Sequence, residues 1–270
     1  MSAIDDLFQR LQSEGRKAFM PFITAGDPDL ELTVDLIREL DRRGCQLCEV
    51  GIPYSDPIAD GPVIQASYTR ALQRGFRLHD LWEAVAGLHN DCPMPRVTMV
   101  SYAIVRRAGM QAYIEQARSA GFAGAIVPDL PVEEASDMRA ACAAADFSLI
   151  QLIAPTTPDD RAKRIADSCS GFIYYVSVTG ITGERKELPP ELMDRLAWLR
   201  EQTPLPICIG FGISQPAQAR MLSPVADGVI VGSAIVKRIT QQLENPSVDR
   251  GALVQEIGEF ASSMLDALSL

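Results

Sequence analysis

Histidine is nearly missing from this chain: His79 and His89 are the two in 270 residues, ten positions apart in one stretch of helical character. Placed like that they cannot easily converge on a metal at one end of a fold, and both read as surface or packing residues. Lysine is almost as scarce. Lys17 precedes the first β-like run, Lys163 and Lys237 fall in helical stretches and Lys186 in a loop, so no strand-like run carries an amine for a Schiff base. No run of about 18 apolar residues is present, which argues against a membrane-spanning helix. Asp5 and Asp6 stand where a secretory leader would be basic. The nucleotide-binding glycine loops G-x-x-x-x-G-K-[ST] and G-x-G-x-x-G are both lacking. Six cysteines are too few to staple a chain of this length, so a reduced, cytoplasmic setting is expected. Cys45 and Cys48 form a lone C-x-x-C inside an apolar run and are expected to be small core residues. Basic residues are outnumbered, for a net charge of −10, which repels nucleic acid and anionic lipid.

What is present is a rhythm. Short β-branched runs recur at 18–25, 46–53, 96–102, 123–129, 148–154, 172–179, 207–213 and 228–232, each ending near Gly, Pro or Asp. Amphipathic stretches at 32–43, 63–74, 110–120, 133–145, 159–169, 191–201 and 215–222 lie between them, long enough for crossover helices. Eight such runs predict a parallel (β/α)₈ barrel, since continuous apolar strands suit a sheet covered on both faces. An open doubly wound sheet is the alternative, and would want fewer strands and a sharper nucleotide fingerprint. Two helices lie outside the count: 4–14, with Ile4, Leu7, Phe8 and Leu11 on one face, and 248–268. Both are expected against the barrel wall or floor. No linker interrupts the series, so one domain over 1–270 is expected.

A barrel confines its chemistry to the carboxyl ends of its strands. Glycine-bearing loops follow the last three runs: Thr179-Gly180-Ile181-Thr182-Gly183, Gly210-Phe211-Gly212 and Gly232-Ser233, the last opening a short helix over 234–239. Backbone N–H groups and a helix dipole at those positions favour an anion, although any one of these glycines could merely relieve a tight turn. Carboxylates cluster on the second βα connection. Glu49 sits in an otherwise apolar strand, where an ionised group must be paired or at work. Asp60 precedes Gly61-Pro62 and a helical run, so helix capping competes with catalysis. Asp56 before Pro57 and Asp129 before Leu130-Pro131 are open to turn-shaping readings.

Breaking a carbon–carbon bond needs a place for the electron pair. With no strand-borne lysine and no histidine cluster, carboxylate acid–base chemistry remains, and the substrate must supply its own electron sink. An indole ring does so when protonated at C3.

The chain resembles the tryptophan synthase alpha family in Phe22-Ile23-Thr24-Ala25-Gly26-Asp27-Pro28, Glu49-Val50-Gly51-Ile52-Pro53, Ser55-Asp56-Pro57 and Ala59-Asp60-Gly61-Pro62-Val63-Ile64-Gln65. The likeness continues through Pro128-Asp129-Leu130-Pro131-Val132-Glu133-Glu134, the three glycine loops and Gly232-Ser233-Ala234-Ile235-Val236. It implies a TIM-barrel lyase that splits indole-3-glycerol phosphate into indole and glyceraldehyde 3-phosphate. Under it, Glu49 protonates indole C3 and later acts as base, while Asp60 stabilises charge at the indole N–H. It further implies that Gly183, Gly212, Gly232 and Ser233 hold the phosphate, that Tyr174 lies beside the acids, and that Phe22, Val100, Ile126 and Phe211 sandwich the indole. Loops 53–62 and 178–188 would close over substrate, with Thr182 meeting Asp60. The chain itself would need no cofactor. A beta subunit carrying pyridoxal phosphate would join it in an α2β2 complex and receive the indole. One departure is Ile104, where the family often has Asn, which puts a polar contact there in doubt. The rivals are another phosphosugar barrel, such as an indole-glycerol-phosphate synthase or a phosphoribosyl isomerase, and a weakly catalytic barrel kept as an allosteric partner of the beta subunit.

Overall fold

The computed structural model describes residues 2–57, 60–88, 91–177, 190–210, 212–243 and 249–269. Its strands are β1 (Ala18–Thr24), β2 (Cys48–Gly51), β3 (Arg96–Met99), β4 (Phe122–Ile126), β5 (Ser148–Ile150), β6 (Leu152–Ile153), β7 (Ile173–Val176), β8 (Ile207–Gly210) and β9 (Gly228–Val231). The order across the sheet is β5-β4-β3-β2-β1-β9-β8-β7-β6, and every pair is parallel. β5 and β6 are one run interrupted at Gln151: β5 pairs with β4, and β6 with β7. The two ends of the order therefore meet in a single stretch of chain, and the sheet closes as the eightfold barrel. The break has a local cause. Gln151 turns its N–H to Cys169 Sγ and its side-chain amide to the Leu130 carbonyl and the Ser168 hydroxyl.

The helices are α1 (Ala3–Ser13), α2 (Leu30–Arg42), α3 (Pro62–Gln73), α4 (Leu78–Ala86), α5 (Tyr102–Ala108), α6 (Met110–Ser119), α7 (Ala135–Ala144), α8 (Asp159–Ser168), α9 (Pro190–Gln202), α10 (Pro216–Leu222), α11 (Ser233–Leu243) and α12 (Arg250–Leu268). The crossover stretches expected from the sequence leave out α4, although its residues have helical character, and α5. The apolar stripe of α4, Leu81, Trp82 and Val85, is short, and no side chain caps its start. The third strand ends at Met99 rather than 102, because Ser101 caps α5 through the Ala103 N–H. Asp129 binds this corner, accepting from Ser101 Oγ at 2.7 Å and the Tyr102 N–H at 2.7 Å. Its part is structural.

Strand alternation sorts the core into two layers. Outward residues such as Phe19, Ile23, Val50, Tyr175 and Val229 pack under the helices with Leu36, Trp82, Tyr113 and Ile257. Inward residues Met20, Val97, Ile126, Ile150, Cys208 and Ile230 fill the pore. Ile4, Leu7, Phe8 and Leu11 of α1 join that inner cluster, with the Phe8 ring 5.8 Å from Phe172, so α1 plugs the floor. Ser2 starts α1 with a reciprocal capping box to Asp5. All six cysteines are buried and unpaired, Cys45 and Cys48 among them.

At the opposite end, Asp27 in the loop after β1 is 1% exposed at its side chain and takes Arg70 of α3 through two bonds, at 2.9 and 2.7 Å. The same guanidinium donates to Thr240 of α11 at 2.8 Å. Removing one partner of such a pair leaves an uncompensated buried charge. Arg70→Met is expected to cost about 3 kcal/mol, read as a lowered urea midpoint; a midpoint unchanged from wild type would show the pair to be idle.

Candidate active site

Glu49 lies at the level of Phe22 on β1 and Val97 on β3, and all three side chains face the pore. Above them is a cavity of ≈ 270 Å³. Its apolar wall is Phe22, Val63, Ile64, Met99, Tyr174 and Ile230; its polar wall is Glu49, Asp60, Gly212, Gly232, Ser233 and Lys237. Neighbouring glycines make room for the rings. A methyl at Gly210 would run into Tyr174 Oη, and one at Gly51 would meet the Phe22 ring and stand 2.7 Å from Tyr68 Oη. Gly51→Ala is accordingly expected to tilt Phe22 and lower kcat/KM about tenfold or more, since a displacement of an ångström at the reacting centre is costly; unchanged kinetics would mean that the ring has another resting place.

The two acids differ in a way that divides their labour. Glu49 is 1% exposed and neither carboxylate oxygen has a partner. Burial, and secondarily the charge of Asp60, push its pKa up to about 8. Asp60 is pushed up to about 6 by burial alone. The asymmetry makes physical sense: Asp60 ionises first, opposite a neutral Glu49, and Glu49 must then ionise against Asp60's charge. Near neutral pH the cavity holds one protonated carboxyl and one carboxylate. Burial, then Glu49, also raises the Tyr174 phenol, which stays a neutral donor.

Asp60 is not the cap of α3. That position is Gly61, with Pro62 opening the helix, while Gln65 Nε2 holds the loop by donating to the Asp60 carbonyl at 2.8 Å and the Pro57 carbonyl at 3.1 Å. Asp56 is exposed and accepts from Ser55 Oγ, as a turn residue does. Ser233 begins α11, which runs to Leu243, well past the expected 239. The first N–H groups of a helix lack intrahelical acceptors, so Ser233 presents donors and a dipole to the cavity.

Of the residues expected in the site, the structure brings together Phe22, Glu49, Asp60, Tyr174, Gly212, Gly232 and Ser233. It does not bring Val100 and Ile126 into the wall. Val100 is buried in the outer layer, and its place in the cavity is taken by Met99; a shift of one residue along a strand exchanges the two faces. Ile126 is level with Met99 across the β3–β4 pair and is fully buried in the inner cluster with Ile150 and Tyr174 rather than in the cavity wall. Thr182, Gly183 and Phe211 lie outside the described residues, as do His89 and the whole 178–188 loop with Lys186. Met99 was legible from alternation with Val97, whereas Val63, Ile64, Ile213 and Lys237 arrive from elements whose approach to the mouth only the fold reveals.

A closed parallel barrel with a protonated and an ionised carboxyl facing one small, largely apolar cavity defines an acid–base barrel enzyme. The family model described as tryptophan synthase alpha chain matches residues 8–265. The chain is 54% identical to the tryptophan synthase alpha chain of Rhodopirellula baltica, over 99% of each, and 42% identical to that of Microcystis aeruginosa, over 99% of this chain and 100% of the relative. Its fold superposes on the crystal structure of tryptophan synthase subunit alpha from Legionella pneumophila with a TM-score of 0.90 at 35% identity, covering 100% of this chain and 99% of that one. The chain belongs to the tryptophan synthase alpha chain family.

Proposed function

We infer that this chain is the lyase that cleaves indole-3-glycerol phosphate into indole and glyceraldehyde 3-phosphate, with Glu49 and Asp60 as its working acids. The observation that carries the residue assignment is the buried Glu49, with neither oxygen partnered, facing the same cavity as Asp60; burial raises both carboxyls, and the charge of Asp60 raises Glu49 further. Glu49 delivers its proton to indole C3, and the ring nitrogen takes up the positive charge. The Asp60 carboxylate accepts the indole N–H and steadies that charge. Glu49, now a carboxylate, takes the proton of the glycerol hydroxyl next to C3. As that O–H bond breaks, a carbonyl forms, the carbon–carbon bond breaks, and its electron pair returns to the ring. The products are indole and the aldehyde, with Glu49 protonated again. The ring is the electron sink, so no step calls on a cofactor in this chain.

Phe22, Met99 and Tyr174 suit the flat ring, and Gly212, Gly232 and Ser233 with the α11 dipole suit the phosphate at the far end. Gly183, Thr182 and Phe211 are assigned by family likeness. The partner is a beta subunit; we assign it the pyridoxal phosphate and the complex an α2β2 composition, in the cytoplasm. No helix among the described residues is long and apolar enough to cross a membrane.

The test is to incubate the purified full chain with indole-3-glycerol phosphate, with and without a beta subunit, and measure indole. Indole is expected in both, more with the partner; none in either would refute the reading. The kcat/KM profile adds a sign. Asp60 must be ionised and Glu49 protonated, so the rate should climb through about pH 6 and fall above about pH 8. A rate that keeps rising past that point would mean that Glu49 does not donate the proton.

A further inference from the structure

The geometry points to Lys237 as the cation that fixes the charge of the substrate's phosphate, reaching back over the first turn of α11 to the anion held at Ser233. This inference rests on the indole-3-glycerol phosphate reading and adds to it a residue one position beyond the Gly232–Val236 motif. Lys237 lies in the cavity wall with Ser233, Gly212 and Gly232. Residues 233 and 237 are four apart on α11, one above the other on the same face, and helical side chains lean toward the amino terminus. A four-carbon stem in that direction carries its ammonium over the place where the helix's free N–H groups point.

Nothing among the described residues uses that charge. Arg238, next along the helix, stacks on the Phe260 ring and donates to the Ala234 carbonyl, and Thr240 takes Arg70. Lys237 has no ion pair with a described carboxylate. The acids in the same cavity do not answer to it either: burial and Asp60 account for Glu49, and burial for Asp60, with no lowering by an ammonium.

The demand for a cation is plain. A phosphate monoester carries nearly two negative charges at neutral pH. Amide dipoles orient it without cancelling them, Asp60 adds a negative charge to the same cavity, and the chain as a whole stands at −10. Lys237 is the basic side chain that the cavity wall offers among the described residues. Its exposure leaves the stem free to swing, so binding need not break an existing contact.

The test uses the full chain and its K237M and K237R variants, with inorganic phosphate and glycerol 3-phosphate titrated calorimetrically at low and high salt and steady-state kinetics run beside them. K237M is expected to weaken both anions about tenfold at low salt, and to raise the KM for indole-3-glycerol phosphate similarly while kcat stays within about a factor of two. K237R should recover most of the affinity, and the wild-type salt dependence should shrink in K237M. The dephosphorylated substrate, indole-3-glycerol, should not distinguish the variants. Anion affinities and KM within about twofold of wild type, in a K237M protein with an unaltered melting curve, would overturn the assignment. So would a K237M defect confined to activation by the beta subunit. The phosphate titrations stand apart from catalysis: a chain that binds phosphate through Lys237 but makes no indole would sink the lyase reading and leave this one standing.

Discussion

Glu49→Gln is expected to abolish indole formation, lowering kcat by about 10³-fold or more, while the affinity for inorganic phosphate stays near wild type. The size follows from the double duty of one carboxyl. An amide neither gives a proton to C3 nor takes one from the hydroxyl, so both halves of the cycle fail, whereas a single proton transfer alone is worth about 10²–10⁴. The amide has nearly the volume of the acid and none of its charge, so the cavity should keep its shape. Activity above about a tenth of wild type would remove Glu49 from the chemistry. Asp60→Asn should be milder, about 10²-fold, because its carboxylate stabilises charge without passing a proton. The comparison of the two variants discriminates roles: equal losses would mean that both acids act as one proton-sharing pair.

The barrel was legible because its strands are read twice, by apolar continuity and by the helical stretches between them. All eight expected runs overlap observed strands, with 148–154 divided at Gln151. Ends were harder. The tract after Met99 is apolar enough to pass for strand, but Ser101 and Asp129 cap a helix there, and capping competes with extension only through a partner 28 residues away. In the site, Glu49 announced itself as an acid in an apolar strand. Asp60 did not, since its local surroundings suit a cap equally well; the fold decides by giving the cap to Gly61 and turning the carboxylate to the cavity. Val100 shows the limit of likeness. Position in a motif says which residue is near the mouth, but the face it presents depends on the register of that strand, and Met99 holds the inward face. Lys237 shows a different limit, because a lysine on an exterior helix is unremarkable until the helix start is seen to abut the pore.

The same Glu49 should make the protein less stable the more alkaline the solution, and replacing it with Leu should therefore stabilise the fold at pH 8. Its folded-state pKa, about 8, lies above the ordinary glutamate value near 4.5 that an unfolded chain restores. Below about 4.5 both states are protonated and the residue contributes no pH-dependent cost. As pH rises the unfolded chain ionises freely while the folded one must stay neutral, so stability falls until the folded carboxyl ionises as well, near 8. The full cost is of order 3–5 kcal/mol, since each pKa unit is worth about 1.4 kcal/mol and the site is too buried for solvent to screen it. Glu49→Leu removes that cost and also the two oxygens that have no partner. In a chain of this size each kcal/mol moves Tm by roughly 2–4 °C, so the variant should melt several degrees above wild type at pH 8, with the gap closing toward acid. Denaturant midpoints across that range provide the measurement. A gap that does not change with pH would mean that the carboxyl finds a compensating partner in the folded protein, and an enzyme so compensated could not hold the proton on which the cleavage depends.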